Sequence, residues 1–475
     1  MKTLKVTLKQ HTPLIHFQHD QYGATLRASE VKPKLDRFIL TELGNGDYDS
    51  GIEIAKERKG WLIGKGEHPA LNYKMKIEAA NLDAEIKLVE KPPKTKVDKK
   101  TGEDKTIFSL EDFPMLLSNM GGKENKTELV NFSFSFQEIE LTITFLSLKK
   151  KGEMEEIDNE FYDKVKNDIK YFFANNNFGQ RSTKGFGSFT VVKINDEIVK
   201  WEHNDVYEND IKLMRYDVED INKDSIKNVF EVIDFYWKSL KSGINCTKRL
   251  ITKSGDVERK NSGRYIKAFL WTYLNKKNKT WEKRKIKNEL FLECRRAKTD
   301  PDIKDNNNNA FFARAHLGCP INGLTYRIPQ SKMVEKGGKL REYVKTVDVK
   351  ISHNNETQIE RISSPIIFKP VFHSITNKET QKSRFVVSIY ILYDKNQIKH
   401  LYQASDTTFK FEGNNNVTTL PLFVSEETRR YEFDFHDLIS EFHKSLGFKL
   451  IPRDFSWNEI LGKNTEVKFF KIVKK

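Results

Sequence analysis

Between Ile139 and Val192 the hydrophobic period of this chain changes twice. Ile139, Leu141, Ile143 and Phe145 alternate with polar residues, the pattern of a half-buried strand. Phe161, Val165, Ile169, Phe172 and Phe173 then recur at the spacing of one helix face. After NNNFGQRSTKGFGSF, residues 175–189, a short apolar run returns at Phe189-Thr190-Val191-Val192. A strand, a helix, a glycine-rich loop over 178–188 and a closing strand must therefore fold together.

The upstream residues extend this plan. Leu4, Val6 and Leu8 alternate with Lys5, Thr7 and Lys9, giving a first strand that does not read as a signal peptide. LRASEVKPKLDRFIL follows as a helix with Val31, Leu35, Phe38 and Ile39 on one face. Ser29 is the expected N-cap, and Pro33 falls in or just after the first turn. Phe132, Phe134 and Phe136 predict another strand, and the lysine-rich stretch 87–106 an exposed loop or the tip of a long hairpin. The order strand, helix, strands, helix, strand predicts an α+β fold of ferredoxin-like type, an antiparallel sheet with helices on one face.

The second half carries a helical pattern over 227–241 and another in NSGRYIKAFLWTYLN. There Ile266, Phe269, Leu270, Tyr273 and Leu274 share a side, with Arg264 and Lys267 off it. DIKDNNNN, ending at Asn309, reads as a loop. Strands are expected at 364–372 and 384–393. A cationic entry into an amphipathic helix followed by strands echoes the first half, so the chain divides into domains at 1–205 and 206–475.

Charge bears on partners. The chain of 475 residues has a formal charge of +15, and the basic region 259–298 holds fourteen Lys or Arg against three Asp or Glu. Focused charge points to a polyanion such as RNA. Tyr265, Trp271 and Trp281 lie among these cations, the combination that holds single strands by stacking and charge. Tyr273, on the apolar side, is expected in the core. No stretch has the ~20 apolar residues of a membrane span. Cys246, Cys294 and Cys319 are too few and too scattered for a disulfide framework or a zinc site, and with the leaderless start they point to the cytoplasm.

The loop itself lacks the Lys-Ser/Thr ending of a phosphate-binding Walker loop and the GxGxxG of a dinucleotide fingerprint. Gly179, Gly185 and Gly187 would let backbone N–H groups approach a phosphate. Gln180, Arg181, Ser182, Thr183 and Lys184 would supply charge and hydrogen bonds, and Phe186 either packs in the core or stacks on a base. The competing reading is a plain helix-to-strand turn.

FGQRSTKGFGSF resembles the glycine-rich loop of the RAMP superfamily of CRISPR-associated RNA-binding proteins, in particular the tandem-RAMP head subunit of type III-B (Cmr) effector complexes. The TPL at Thr12, ARAHLGCPI at 313–321 and ERISSPIIFKP at 360–370 resemble further motifs of that subunit. The entry to the first helix departs from the family pattern. The resemblance implies tandem ferredoxin-like domains with basic insertions and a non-catalytic subunit with no metal or cofactor. It also implies that guide RNA, target RNA and the other subunits of the complex are partners. The subunit would cap the complex at the 3′ end of the guide and help capture target. Further RNA contacts are then expected from Arg27, Lys32, Lys34, Arg37, Arg264, Lys267, Trp281, Arg314, His316 and Arg361.

Two other functions compete. His16, His19 and Asp20 are the tightest cluster for metal-free RNA cleavage, which would make the chain a RAMP endoribonuclease; they serve equally as a polar loop or half of a metal site. A structural adaptor binding acidic proteins through the basic region is the third.

Overall fold

In the computed structural model the described residues are 2–15, 26–64, 69–79, 90–97, 104–110, 138–146, 149–150, 153–154, 159–202, 205–206, 211–251, 257–277, 279, 282–290, 310–318, 324–335, 340–353, 362–376, 383–394, 398, 408–413, 415–422, 434–446 and 468–472. The sequence-expected strand at Phe132, Phe134 and Phe136 lies outside them, as do His16, His19, Asp20, Trp281, Cys294, residues 302–309, Cys319 and Arg361. The chain divides into two compact units. Unit 1 takes residues 1–233, 367–392 and 457–475; unit 2 takes 234–366 and 393–456.

The first sheet of unit 1 contains β1 (Lys2–Gln10), β2 (Tyr73–Ala79), β3 (Ile139–Phe145), β4 (Phe189–Ile194) and β5 (Glu197–Ile198). Its strand order is β5-β4-β1-β3-β2, and every neighbouring pair is antiparallel. The alternation in β1 has its expected result: Leu4, Val6 and Leu8 are fully buried, beside Ile139, Leu141, Ile143 and Phe145 of β3. Against them lie α1 (Ala28–Leu43) through Val31, Leu35, Ile39 and Leu40, and α3 (Asn159–Asn175) through Phe161, Val165, Ile169, Phe172 and Phe173. Each buried aromatic or aliphatic side chain contributes on the order of 1.5–3 kcal/mol by leaving water.

Two details of α1 differ from expectation. Arg27, not Ser29, is the N-cap residue, and its carbonyl receives the N–H groups of Glu30 and Val31. Pro33 is therefore in the second turn, where it deprives the Ser29 carbonyl of its usual partner; both residues are exposed, so solvent can serve that carbonyl. A short α2 (Tyr48–Glu57), whose N-cap Asp47 accepts from Ser50 N at 2.9 Å, follows at once. Residues 90–97 and 104–110 pair as an antiparallel hairpin, one of the two forms expected for the lysine-rich stretch.

The second sheet of unit 1 comprises β6 (Ile211–Val218), β11 (Ile366–Thr376), β12 (Ser383–Tyr393) and β15 (Lys468–Ile472), in the order β11-β12-β6-β15. Between β6 and β11 the chain makes α4 (Lys223–Trp237), which continues as a π-turn over Lys238–Ser242. It then forms a hairpin of β7 (Ile244–Ile251) and β8 (Val257–Ile266), followed by α5 (Phe269–Lys276) and α6 (Glu282–Leu290). Here the long helix expected over 261–275 is corrected. Arg264, Tyr265 and Ile266 belong to β8, and only Phe269–Lys276 is helical. Asn261, Ser262 and Gly263 are weak helix formers; Asn261 pairs with Thr247, and Ser262 and Gly263 fall where the register of the hairpin shifts. The region 259–298 is thus part strand, part helix.

Unit 2 also holds β9 (Leu324–Glu335), β10 (Leu340–His353), β13 (Thr408–Gly413), β14 (Asn416–Pro421) and α7 (Phe435–Leu446). Those four strands form one antiparallel sheet in the order β9-β10-β13-β14. Among the described residues no helix is long and apolar enough to cross a membrane.

Candidate nucleic-acid interface

The glycine loop is built as a short 3₁₀ turn, Ser182–Lys184, between two aromatic anchors. Phe178 packs against Phe172 and Phe173 with ring centroids 5.7 and 5.4 Å away. Phe186 is fully buried and stacks on Phe230 of α4 at 4.0 Å. The base-stacking role for Phe186 is therefore corrected: its ring is core.

The glycines face inward too. A Cβ on Gly187 would lie 2.0 Å from the Phe178 carbonyl oxygen, and one on Gly179 would lie 2.5 Å from that of Ile15. On Gly185 it would meet Ile233 at 2.8 Å. All three also have positive φ. The expectation that Gly179, Gly185 and Gly187 open a path for phosphate is corrected: they make room for the protein's own chain.

Segment 11–15 threads the loop. Thr12 Oγ1 donates to the Gly185 carbonyl at 2.6 Å and accepts from Ser188 N at 2.9 Å. Gly187 N donates to the Pro13 carbonyl and Gln180 N to that of Ile15, each at 2.8 Å. Gly179 N donates to Glu30 Oε1 of α1 at 2.7 Å, and Lys34 donates to the same oxygen at 2.9 Å. Lys34 also stands 5.1 Å above the Phe178 ring. From β11, Lys369 and Pro370 hold the other side: Ser188 Oγ donates to the Pro370 carbonyl at 2.6 Å. The Thr-Pro-Leu, glycine-loop and Ser-Pro-Ile-Ile-Phe-Lys-Pro stretches thus form one interlocked structure.

Residues 179–184 are half-exposed, and Gln180, Arg181, Ser182 and Thr183 form the apex. Arg181 has φ 55, ψ 26, the left-handed region, which costs a non-glycine residue on the order of 1 kcal/mol or more. Lys184 does not join this apex. Its ammonium is buried 6.0 Å from the Phe368 ring centroid, which corrects its expected place on a phosphate.

The α1 cations divide. Arg27, half-exposed, caps the helix, and Lys34 lies at the loop. Lys32 instead donates to buried Asp36 at 2.7 Å and to the Leu71 carbonyl at 3.1 Å, and Tyr73 OH donates to the same Asp36. Lys32 is a fold residue, contrary to expectation. Arg37 is exposed, 5.3 Å over the Tyr48 ring.

In unit 2, His316 is fully buried and donates from Nε2 to the Leu422 carbonyl at 2.8 Å, which removes it from any RNA surface. Arg314 pairs with Glu282, itself fully buried, so its charge is spent inside. Lys267 is exposed, 4.0 Å over the Trp271 ring. Lys276 and Lys277 face Glu441 and Asp437 of α7 at 2.8 and 3.5 Å, and Lys285 faces Glu289 at 3.8 Å. The positive excess of 259–298 is therefore partly neutralised in place. Tyr273 is core, as expected, and donates to Asp437 at 3.0 Å. Among the described residues no group of three or more His, Cys, Asp or Glu is placed to hold a metal.

Two motif segments of the chain match family models: residues 1–244 match the Cmr1 N-terminal domain, and 265–454 match the Cmr1 C-terminal domain. The chain belongs to the Cmr1 family. It is thereby a CRISPR-associated RAMP protein of type III-B, as the short motif islands implied. No curated protein matches it. Among solved structures, a type III-B Cmr-beta bound to cognate target RNA and AMPPnP in the presence of ssDNA contains a chain 11% identical; the alignment covers 83% of this chain and 97% of that one, with TM-score 0.30. A Cmr-beta bound to cognate target RNA gives 12% identity, 84% and 97% coverage and TM-score 0.26.

Sequence reasoning missed the residues that make the site rigid: His11, Glu30, Asn177, Ser188 and Lys369. The motif islands pointed at several of these positions without indicating that they touch.

Proposed function

We propose that this chain is a non-catalytic RNA-binding subunit of a type III-B CRISPR effector and that it holds RNA phosphates at the loop apex. Guide RNA, target RNA and the other Cmr subunits are its partners, and the cytoplasm its place. Its place in the complex is at the 3′ end of the guide, as a cap that helps capture target. Membership of the Cmr1 family supports the setting. The observation that carries the loop reading is Arg181, held left-handed at the apex of a turn whose glycines and aromatics are committed to the core. Strain of that kind persists where the surroundings over-determine it, and it clusters at ligand clamps. Ser182 and Thr183 add hydroxyl donors to the same turn.

We read the domains 1–205 and 206–475 as tandem ferredoxin-like folds. In the first, the chain order β1-α1-β2-β3-α3-β4 combines with the sheet order β4-β1-β3-β2. In the second, β6-α4-β11-β12-α7-β15 combines with β15-β6-β12-β11, the same permutation, with the remaining strands and helices as insertions.

The test uses the full chain and labelled single-stranded RNAs of unrelated sequence. Arg181→Ala with Thr183→Ala is expected to keep the fold by circular dichroism and to weaken binding at least about tenfold. RNA should stay intact with or without magnesium. Wild-type affinity in the double variant would refute the loop reading. Cleavage products that vanish on replacing His16 and His19 by alanine would make the chain an endoribonuclease.

A further inference from the structure

The stem of the glycine loop is held by buried donors that face backbone carbonyls. Lys369 of β11 is fully buried, and its Nζ donates to the Asn176 carbonyl at 2.8 Å and the Phe189 carbonyl at 2.9 Å. One of these carbonyls precedes the loop and the other follows it. Asn177 Nδ2 donates to the Phe368 carbonyl at 2.8 Å, and Ser188 Oγ donates to that of Pro370 at 2.6 Å. Close by, His11 Nδ1 accepts from Phe372 N at 3.1 Å, so its proton is on Nε2, which donates to Thr190 Oγ1 at 2.8 Å. Burial drives the Lys369 amine well below its ordinary titration range.

We infer that Lys369 is a positioning residue for RNA binding: by tying the carbonyls at both ends of the glycine loop to β11, it fixes the direction in which Arg181 is presented. The inference rests on the loop reading above. A stem free to splay would let Arg181 leave the left-handed region, and the guanidinium would then pay its ordering entropy on binding. Lys369 itself is inaccessible to RNA, so it acts only through the loop.

A double-mutant cycle on the full chain tests this, with single-stranded RNA affinity read from about 50 to 200 mM salt. Lys369→Met keeps length and apolar volume but removes both donors. It is expected to weaken binding about tenfold with an unchanged salt slope, because no phosphate contact is lost. Arg181→Ala is expected to weaken binding and to make the slope shallower by about 0.7. The double variant should bind no worse than the poorer single one. Additive losses, or wild-type affinity in K369M while R181A is weakened, overturn the positioning role alone. Wild-type affinity in R181A sinks the loop reading and this inference together. If K369M fails to fold, Ser188→Ala replaces it: a severalfold loss at unchanged slope supports the inference, and wild-type affinity overturns it.

Discussion

At Arg181 stability and function pull apart. Glycine tolerates the left-handed region that arginine occupies at a cost, so Arg181→Gly is expected to raise stability by up to ~1 kcal/mol in denaturant unfolding while lowering RNA affinity. A variant that is less stable and binds RNA normally would show that the strain has no part in recognition. His11 and Lys369 set a second residue-scale expectation. Burial, together with Lys9, Lys369 and His373, holds the His11 imidazole well below its usual value, and burial does the same to Lys369. The unfolded chain therefore binds protons that the native chain refuses. For His11 this costs stability as pH falls below about 6.5, and for Lys369 stability rises with pH up to about 10.4. Thermal unfolding should show a melting temperature that climbs from pH 5 to 7 in the wild type and climbs less in His11→Gln. Parallel pH curves would contradict the buried neutral histidine.

At the scale of elements, the loop behaves as part of the core. Gly187→Ala places a methyl 2.0 Å from the Phe178 carbonyl oxygen in a backbone with φ +65, and it is expected to destabilise the chain by at least ~2 kcal/mol. Phe230→Ala removes the ring on which Phe186 stacks and should cost about 3–5 kcal/mol by chemical denaturation. A cost below about 1 kcal/mol for either would mean that the loop does not depend on these contacts. The same scale shows what a sequence discloses. β1 and α3 are legible because each buries one face at a fixed period, and the strands near 366–376 and 383–393 because each carries a near-continuous buried run. Residues 261–268 were misread because Ile266 fits a helical stripe and a strand register equally well; pairing with Ile244 decided it. Of the candidate site, Gln180 to Thr183 kept the exposure expected of them, whereas Phe186, Lys184, Lys32, Arg314 and His316 turned inward. Nothing local distinguishes a lysine for phosphate from one that will meet a carboxylate. Lys369 reaches Asn176 across 193 residues, a contact no local pattern encodes.

For the whole molecule, charge is the quantity that links fold to function. The formal charge of +15 remains, yet Lys276 and Lys277 already face acids of α7, so the basic stretch 259–298 contributes less attraction than its count implies. The central claim is that RNA is held through its phosphates, with Arg181 as one of the contacts. The most direct measurement is the salt dependence of single-stranded RNA binding by the full chain and by Arg181→Ala. The account predicts that log affinity falls linearly with log salt in both, and that the variant is weaker with a slope shallower by about 0.7. A flat salt response, or a variant with the wild-type slope and affinity, would contradict it.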